Sequence, residues 1–317
     1  MELVRSRPSN RVLAILGIAA TAALWGMSAP MIKQLIDTFP PCTLAALRLS
    51  IAVAVLVPML ALQGRRPRFG RPAILLGLSG VAAAQIIQNF GMERIAAGSA
   101  AVVFMAASVV ITSLLGWVCL GERCSPIVML AMLGCGIGVT LVAMAGSGSN
   151  VAFPVIGLLL IVGSAAAWSV YAVIGRKFTE GDSTEIMTGA LIVGLLATLP
   201  FVAYERPKVS AMSVGAGDLV TLLLLGSLVT AGSYLCWSFS IRHLQANEAS
   251  VLCSFEPAFG LFFAWLLLRE GITWPAVIGA AVIVASCVMV AIGDEPKVSE
   301  PVVVEPEPQP VSLMVAL

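Results

Sequence analysis

The chain has 317 residues, of which 59% are hydrophobic and only 11% charged, with a mean hydropathy of +1.00. A soluble domain carries about 25% charged residues, so this composition cannot cover a water-facing surface, and 18 basic against 17 acidic residues leave no excess to attract a polyanion. A cytosolic enzyme, a disordered protein and a nucleic-acid binder are excluded; a polytopic membrane protein remains.

A helix needs about 20 apolar residues to cross the hydrocarbon core. Ten runs of that kind follow one another: Val12–Ile32, Cys42–Leu62, Ala73–Met92, Ile95–Val118, Pro126–Ala145, Phe153–Gly175, Ile186–Ala203, Leu219–Ile241, Ala249–Leu268 and Ile272–Ile292. They are continuous rather than alternating, which favours helices over a barrel. Met1–Arg11 is basic and imitates a secretory leader, but the run after it is long enough to span, so it reads as a short cytoplasmic segment (residues 1–11). Residues 293–317 are acidic and Pro-rich and read as a disordered cytoplasmic tail.

Lysine and arginine in the loops set the orientation. With the N-terminus inside, twelve of the eighteen, including Arg65, Arg66, Arg68 and Arg71, fall on the cytoplasmic side, five fall outside, and Arg48 lies within a span. Both termini are therefore expected in the cytoplasm.

The chain also repeats itself. Ala22-Ala23-Leu24-Trp25 matches Ala165-Ala166-Ala167-Trp168 and Lys33 falls on Arg176, at an offset of 143; Arg94 falls on Arg242, Trp117 on Trp265 and Glu122 on Glu270, at 148. Each half (12–145 and 153–292) holds five spans, an odd number, so the second half enters the membrane in the opposite sense. The fold class expected is all-α integral membrane, ten helices as two five-helix inverted repeats. Two similar units of opposite orientation can exchange conformations, which is the geometry of alternating access in secondary transporters.

The first span reads Trp25-Gly26-Met27-Ser28-Ala29-Pro30-Met31-Ile32-Lys33, and the ninth reads Glu256-Pro257-Ala258-Phe259-Gly260, then Trp265 and a closing Arg269-Glu270, with Gly121-Glu122 as the first-half counterpart. In this the chain resembles the drug/metabolite transporter superfamily, in its EamA-like ten-helix group. The resemblance covers residues 12–292 and departs from internal symmetry at two places: Val109 stands where Pro257 is mirrored, and Ser169 answers Gly26. It implies a substrate cavity between the repeats and, usually, export of small metabolites, which in this family range over amino acids, their relatives and other compounds; a bacterial inner-membrane location is expected.

Within the spans only Arg48 and Glu256 are charged, and burying either costs several kcal/mol. Glu256 lies ~11 Å into its span and Arg48 ~9 Å into its own, at ~1.5 Å per residue. Arg48 either snorkels or bonds helix carbonyls, or it clamps a substrate carboxylate. Glu256 precedes Pro257, where a bend frees the Cys253 carbonyl; it is either a permanently protonated, hydrogen-bonded acid or the group that couples protons to transport. Gln85, Gln88 and Asn89 form a polar stripe on the third span, for interhelical bonding or for substrate. Trp25 and Trp168 are matched inside spans, and Tyr171, Tyr234 and Trp237 are amphipathic; each either packs or lines the cavity. Trp117 and Trp265 belong with the interfacial belts. Gly134-x-x-x-Gly138 allows close helix approach.

Seven cysteines without a CxxC spacing and a single histidine, His243, give no metal site, and no cofactor is expected. The expected partners are a small-molecule substrate, the lipid bilayer and protons as coupling ion, with no nucleic acid. The competing readings are a channel or a non-transporting receptor, which have no need of an inverted repeat. An intramembrane enzyme would need an Asp pair, an HExxH or a Ser–His pair within the spans, and none is present. No GxxxxGK[ST] loop is present, which leaves an ion gradient or the substrate's own gradient as the energy source.

Overall fold

The computed structural model describes residues 8–120, 126–146, 155–178, 183–205, 213–240, 243 and 252–293. Glu122, Arg242 and the acidic tail lie outside them. Among the described residues the chain is helical and contains no strand. In chain order the helices are α1 (Pro8–Ile36), α2 (Pro41–Leu62), α3 (Arg71–Leu76, Gly77–Ala83 and Ala84–Met92), α4 (Ala97–Leu120) and α5 (Pro126–Gly146). The second half holds α6 (Val155–Phe178), α7 (Ser183–Tyr204), α8 (Ala216–Leu224, Leu225–Gly232 and Ser233–Ser240), α9 (Glu256–Leu268) and α10 (Trp274–Gly293). Among the described residues seven helices are long and apolar enough to cross a membrane, and the apolar parts of α5, α9 and α10 are shorter.

Packing repeats across the halves. α1 lies on α8 and α9, and α6 lies on α3 and α4; α2 packs on α7 and α8, and α7 packs on α2 and α3. α4 meets α9, and α5 meets α10. Advancing every helix by five turns each of these pairings into itself or into another of them. The glycines explain how these helices come so close. A Cβ on Gly26 would stand 2.6 Å from Phe259 Cβ and 2.9 Å from Gly260 N; one on Gly138 would stand 2.7 Å from the Gly279 carbonyl. The expected close approach along Gly134 and Gly138 is the α5–α10 contact.

One feature was not expected. The middle of α3, Gly77–Ala83, and the middle of α8, Leu225–Gly232, are π-helical. They occupy the same place in the two halves at the offset of 148, and Ser79, Val81 and Ala83 fall on Ser227, Val229 and Ala231. An apolar run has no periodicity that distinguishes a π turn from an α turn, so the composition is silent about it. Such wide turns cluster at functional positions, because they redirect the side chains that follow.

Charged side chains tie helix ends together. The Glu205 carboxylate, at the end of α7, accepts from the Cys42 and Thr43 N–H groups at 3.0 and 2.8 Å and from the Thr43 hydroxyl at 2.8 Å. It satisfies donors that the start of α2 leaves open, and its charge suits the positive end of that helix. Glu270 does the same for α4, accepting from Ala97 and Gly98 N–H at 2.8 and 3.1 Å. The chain reaches that position because Arg269 adopts a left-handed φ of 55° and closes α9. Lys33 donates to the Met92 carbonyl at 2.6 Å, at the end of α3. The lysine and the glutamate of the two sequence motifs thus both terminate neighbouring helices.

Candidate functional site

The side chains after the two π segments converge with those of α1, α2 and α6. Trp25 is the hub. Its indole N–H donates to Ser233 Oγ at 3.0 Å, and its ring lies 6.2 Å from Trp168, 6.5 Å from Tyr234 and 5.5 Å from Trp237. Trp168 stacks on Tyr171 at 4.7 Å. The five aromatic residues singled out in the sequence therefore form one connected cluster, contributed by both halves. Phe104 of α4, 6.5 Å from Trp168, extends it; nothing in its apolar run marks it out.

Arg48 is buried on α2, and its Nε donates to Thr230 Oγ1 at 2.7 Å, on the second π segment. Thr230 in turn donates to the Leu225 carbonyl at 2.7 Å, five residues back, a bond that belongs to the π geometry. Gly226 makes room for this contact: a Cβ there would be 3.0 Å from the Arg48 carbonyl. The two terminal nitrogens of Arg48 have no protein partner among the described residues. Tyr234 lies within electrostatic reach of the guanidinium.

The three amides separate. Asn89 is buried and donates to the Pro41 carbonyl at 2.8 Å, which ties α3 to the start of α2. Gln88 is half-buried. Gln85 is buried, and its Oε1 has no hydrogen-bond partner among the described residues. Interhelical bonding thus accounts for Asn89 and does not account for Gln85.

Glu256 stands apart from Arg48, and no ion pair joins them among the described residues. Its carboxylate is half-buried without a hydrogen-bond partner among those residues, and Cys287 on α10 lies within electrostatic reach. The bend expected at Pro257 is a break: the regular part of α9 begins at Glu256, after a turn at Ser254 and Phe255. Pro257 has no N–H to give Cys253, and the Ala258 N–H goes to Phe255 O at 3.0 Å rather than to Ser254. The two departures from symmetry meet here. Gly26 abuts the Glu256 carbonyl (2.8 Å from a Cβ), and its counterpart Ser169 donates to the Ser108 carbonyl at 3.3 Å, Ser108 being the counterpart of Glu256.

Thr230, Ser233 and Glu205 were not singled out in the sequence. The repeat carried a signal for one of them, since the offset of 148 places Ser233 on Gln85.

The bundle thus turns aromatic and polar side chains of both halves toward one another. The sequence profile of the EamA-like transporter family matches residues 12–144 and again 155–292. The chain belongs to the EamA-like transporter family. It is 25% identical over 271 residues to an uncharacterized transporter of Archaeoglobus fulgidus, covering 84% of this chain and 94% of that one. It is 24% identical to the uncharacterized transporter YoaV of Bacillus subtilis (86% and 94% covered). It is also 24% identical to a probable terminal-alkyne amino-acid exporter of Streptantibioticus cattleyicolor (87% and 93% covered). A crystal structure with 19% identity superimposes over 90% of this chain and 99% of its own with a TM-score of 0.65, which establishes the shared fold.

Proposed function

We propose that the protein is a secondary active transporter that exports a small polar metabolite, an amino acid or related compound, by alternating access. In this reading all ten helices span the bacterial inner membrane as two inverted repeats, and both termini are cytoplasmic. One observation carries it: a polar and aromatic centre built by both halves is bridged across the halves at both of its ends. At one end Glu205 reaches Thr43, Glu270 reaches Ala97, and Thr38 donates to Asp218 at 3.2 Å. At the other end Arg65 pairs with Glu185 at 3.1 Å, and Arg68 N–H donates to the Glu185 carbonyl at 3.1 Å. Breaking one set while keeping the other opens the centre to one side at a time. The aromatic faces and the spare Arg48 donors suit a solute with an apolar part and an anionic group, and the name of the Streptantibioticus relative supports the amino-acid class.

Glu256 is the proposed proton-coupling residue. It sits beside a helix break near the middle of its span, without a hydrogen-bond partner among the described residues, and away from the cation that would hold it ionised. The test is transport in proteoliposomes of labelled amino acids and related metabolites, with and without a pH gradient. Gradient-dependent accumulation of one solute class is expected; flux that saturates with no solute and behaves as an open pore would contradict the proposal.

A further inference from the structure

Gln85 breaks the internal symmetry of the centre. Trp25 and Trp168 are counterparts, and so are Ser233 and Gln85. In one half the indole N–H of Trp25 is bonded to Ser233 Oγ at 3.0 Å. In the other half that bond does not occur: Trp168 lies flat on Tyr171, and Gln85 keeps a buried Oε1 with no partner among the described residues. A buried amide oxygen without a donor is costly to leave so, and such an atom calls for an explanation.

The surroundings of Gln85 follow from the helix contacts. α2 and α3 form an antiparallel hairpin pinned by Asn89 on Pro41. Gln85 lies one turn below that bond on α3 and Arg48 about two turns below it on α2, so their depths differ by only about 5 Å at ~1.5 Å per residue. α3 lies on α6, with the Ala84 carbonyl accepting from Ser164 at 2.8 Å and Gly80 against the Tyr171 ring, so Trp168 stands about one turn below Gln85. Within about two turns of depth the bundle therefore holds an acceptor and two guanidinium nitrogens without partners among the described residues, with the Trp168 ring below them. The acceptor and the guanidinium do not bond each other, although bonding would satisfy both.

We infer that Gln85 is a specificity-determining residue whose amide oxygen accepts an N–H from the ammonium group of a zwitterionic solute, while Arg48 holds its carboxylate. This rests on the transporter reading and deepens it. The Trp168 ring, about one turn away, can stabilise the same positive charge. A quaternary ammonium keeps the charge but offers no N–H, so it is discriminated against by Gln85 and not by the rings.

The test uses purified full-length protein. Proteinogenic α-amino acids are measured singly for binding and for proteoliposome transport, together with the N,N,N-trimethyl form of the one that binds best, on wild type and on Gln85→Met and Gln85→Glu. The expected result is that wild type prefers the amino acid to its trimethyl form by about tenfold or more. Gln85→Met should lose that preference by weakening the amino acid alone, and Gln85→Glu, which keeps an acceptor, should retain it. The unliganded Gln85→Met protein should unfold at the wild-type temperature or above, because no protein hydrogen bond is lost. Unchanged preference in Gln85→Met overturns the inference, as does a clearly lowered unfolding temperature, which would make the amide structural. If wild type transports other solutes but no α-amino acid, the ammonium subsite fails and the transporter reading stands; if no solute is moved at all, that reading fails with it.

Discussion

Gly26→Ala adds a single methyl group where α1 crosses α9, beside Trp25 and at the level of Glu256. The new Cβ would stand 2.6 Å from Phe259 Cβ, 2.8 Å from the Glu256 carbonyl and 2.9 Å from Gly260 N. Two of these atoms are backbone, so no rotamer change relieves the contact. Restoring ordinary van der Waals separation requires α9 to move away by about 0.8 Å. Overpacking of this kind costs about 1–3 kcal/mol, against a gain of up to about 1 kcal/mol from replacing a helical glycine by alanine. The control is Gly136→Ala on α5, where a Cβ meets nothing within 4 Å and only the favourable propensity remains. In thermal unfolding of the two variants in the same detergent, Gly26→Ala should unfold below wild type and Gly136→Ala at or above it, and Gly26→Ala should transport more slowly. Equal unfolding temperatures for the two variants would refute the α1–α9 crossing as described.

Three further outcomes are expected. Glu205→Ala removes a carboxylate that accepts three hydrogen bonds and leaves two N–H groups open at the start of α2; a loss of about 2–4 kcal/mol follows, measured as a lowered unfolding temperature against Glu93→Ala, whose exposed pair with Arg94 contributes about 0–1 kcal/mol. A Glu205→Ala protein as stable as Glu93→Ala would show that the cap is idle. Glu256→Gln mimics a protonated carboxyl: solute counterflow should persist and pH-driven accumulation should vanish, and full retention of pH-driven transport would remove the coupling role. Reporter fusions at Gly293 and Gly146 should label inside and outside respectively; an outside signal at Gly293 would overturn the odd-span inversion.

Much of the fold is legible in the sequence because hydrocarbon imposes a long, uniform apolar run that water does not, and the repeat is legible because Trp25, Lys33 and Arg94 have counterparts at nearly constant spacing. The aromatic centre is legible for the same reason: aromatic rings with polar edges in mid-span need inward partners, and Trp25, Trp168, Tyr171, Tyr234 and Trp237 find one another. What escaped the sequence is the backbone register. The π turns at Gly77–Ala83 and Leu225–Gly232 leave no mark in residues that are uniformly small and apolar. Of the three amides that follow, Asn89 bonds the Pro41 carbonyl, and Gln85 Oε1 has no partner among the described residues. Arg48 and Glu256 are both conspicuous as buried charges, but their separation depends on α8 standing beside α2 and α10 beside α9, which spacing along the chain does not encode. Glu205 escaped because it looks like an ordinary loop acid; only the fold brings it to the start of α2.

Alternating access is tested most directly by two distances measured in one protein. Spin labels at Asp37 and Gly217 report across the halves at the end that holds Lys33, and labels at Arg66 and Gly175 report at the opposite end; Gly217 and Gly175 both have open space around them. The pairs are measured by pulsed electron resonance in lipid, in a background without native cysteines, with and without saturating solute and across a range of pH. The two distances should change in opposite directions, one end opening as the other closes. Distances that widen together would describe a channel, and distances that never move under any condition would contradict transport by exchange of the two repeats.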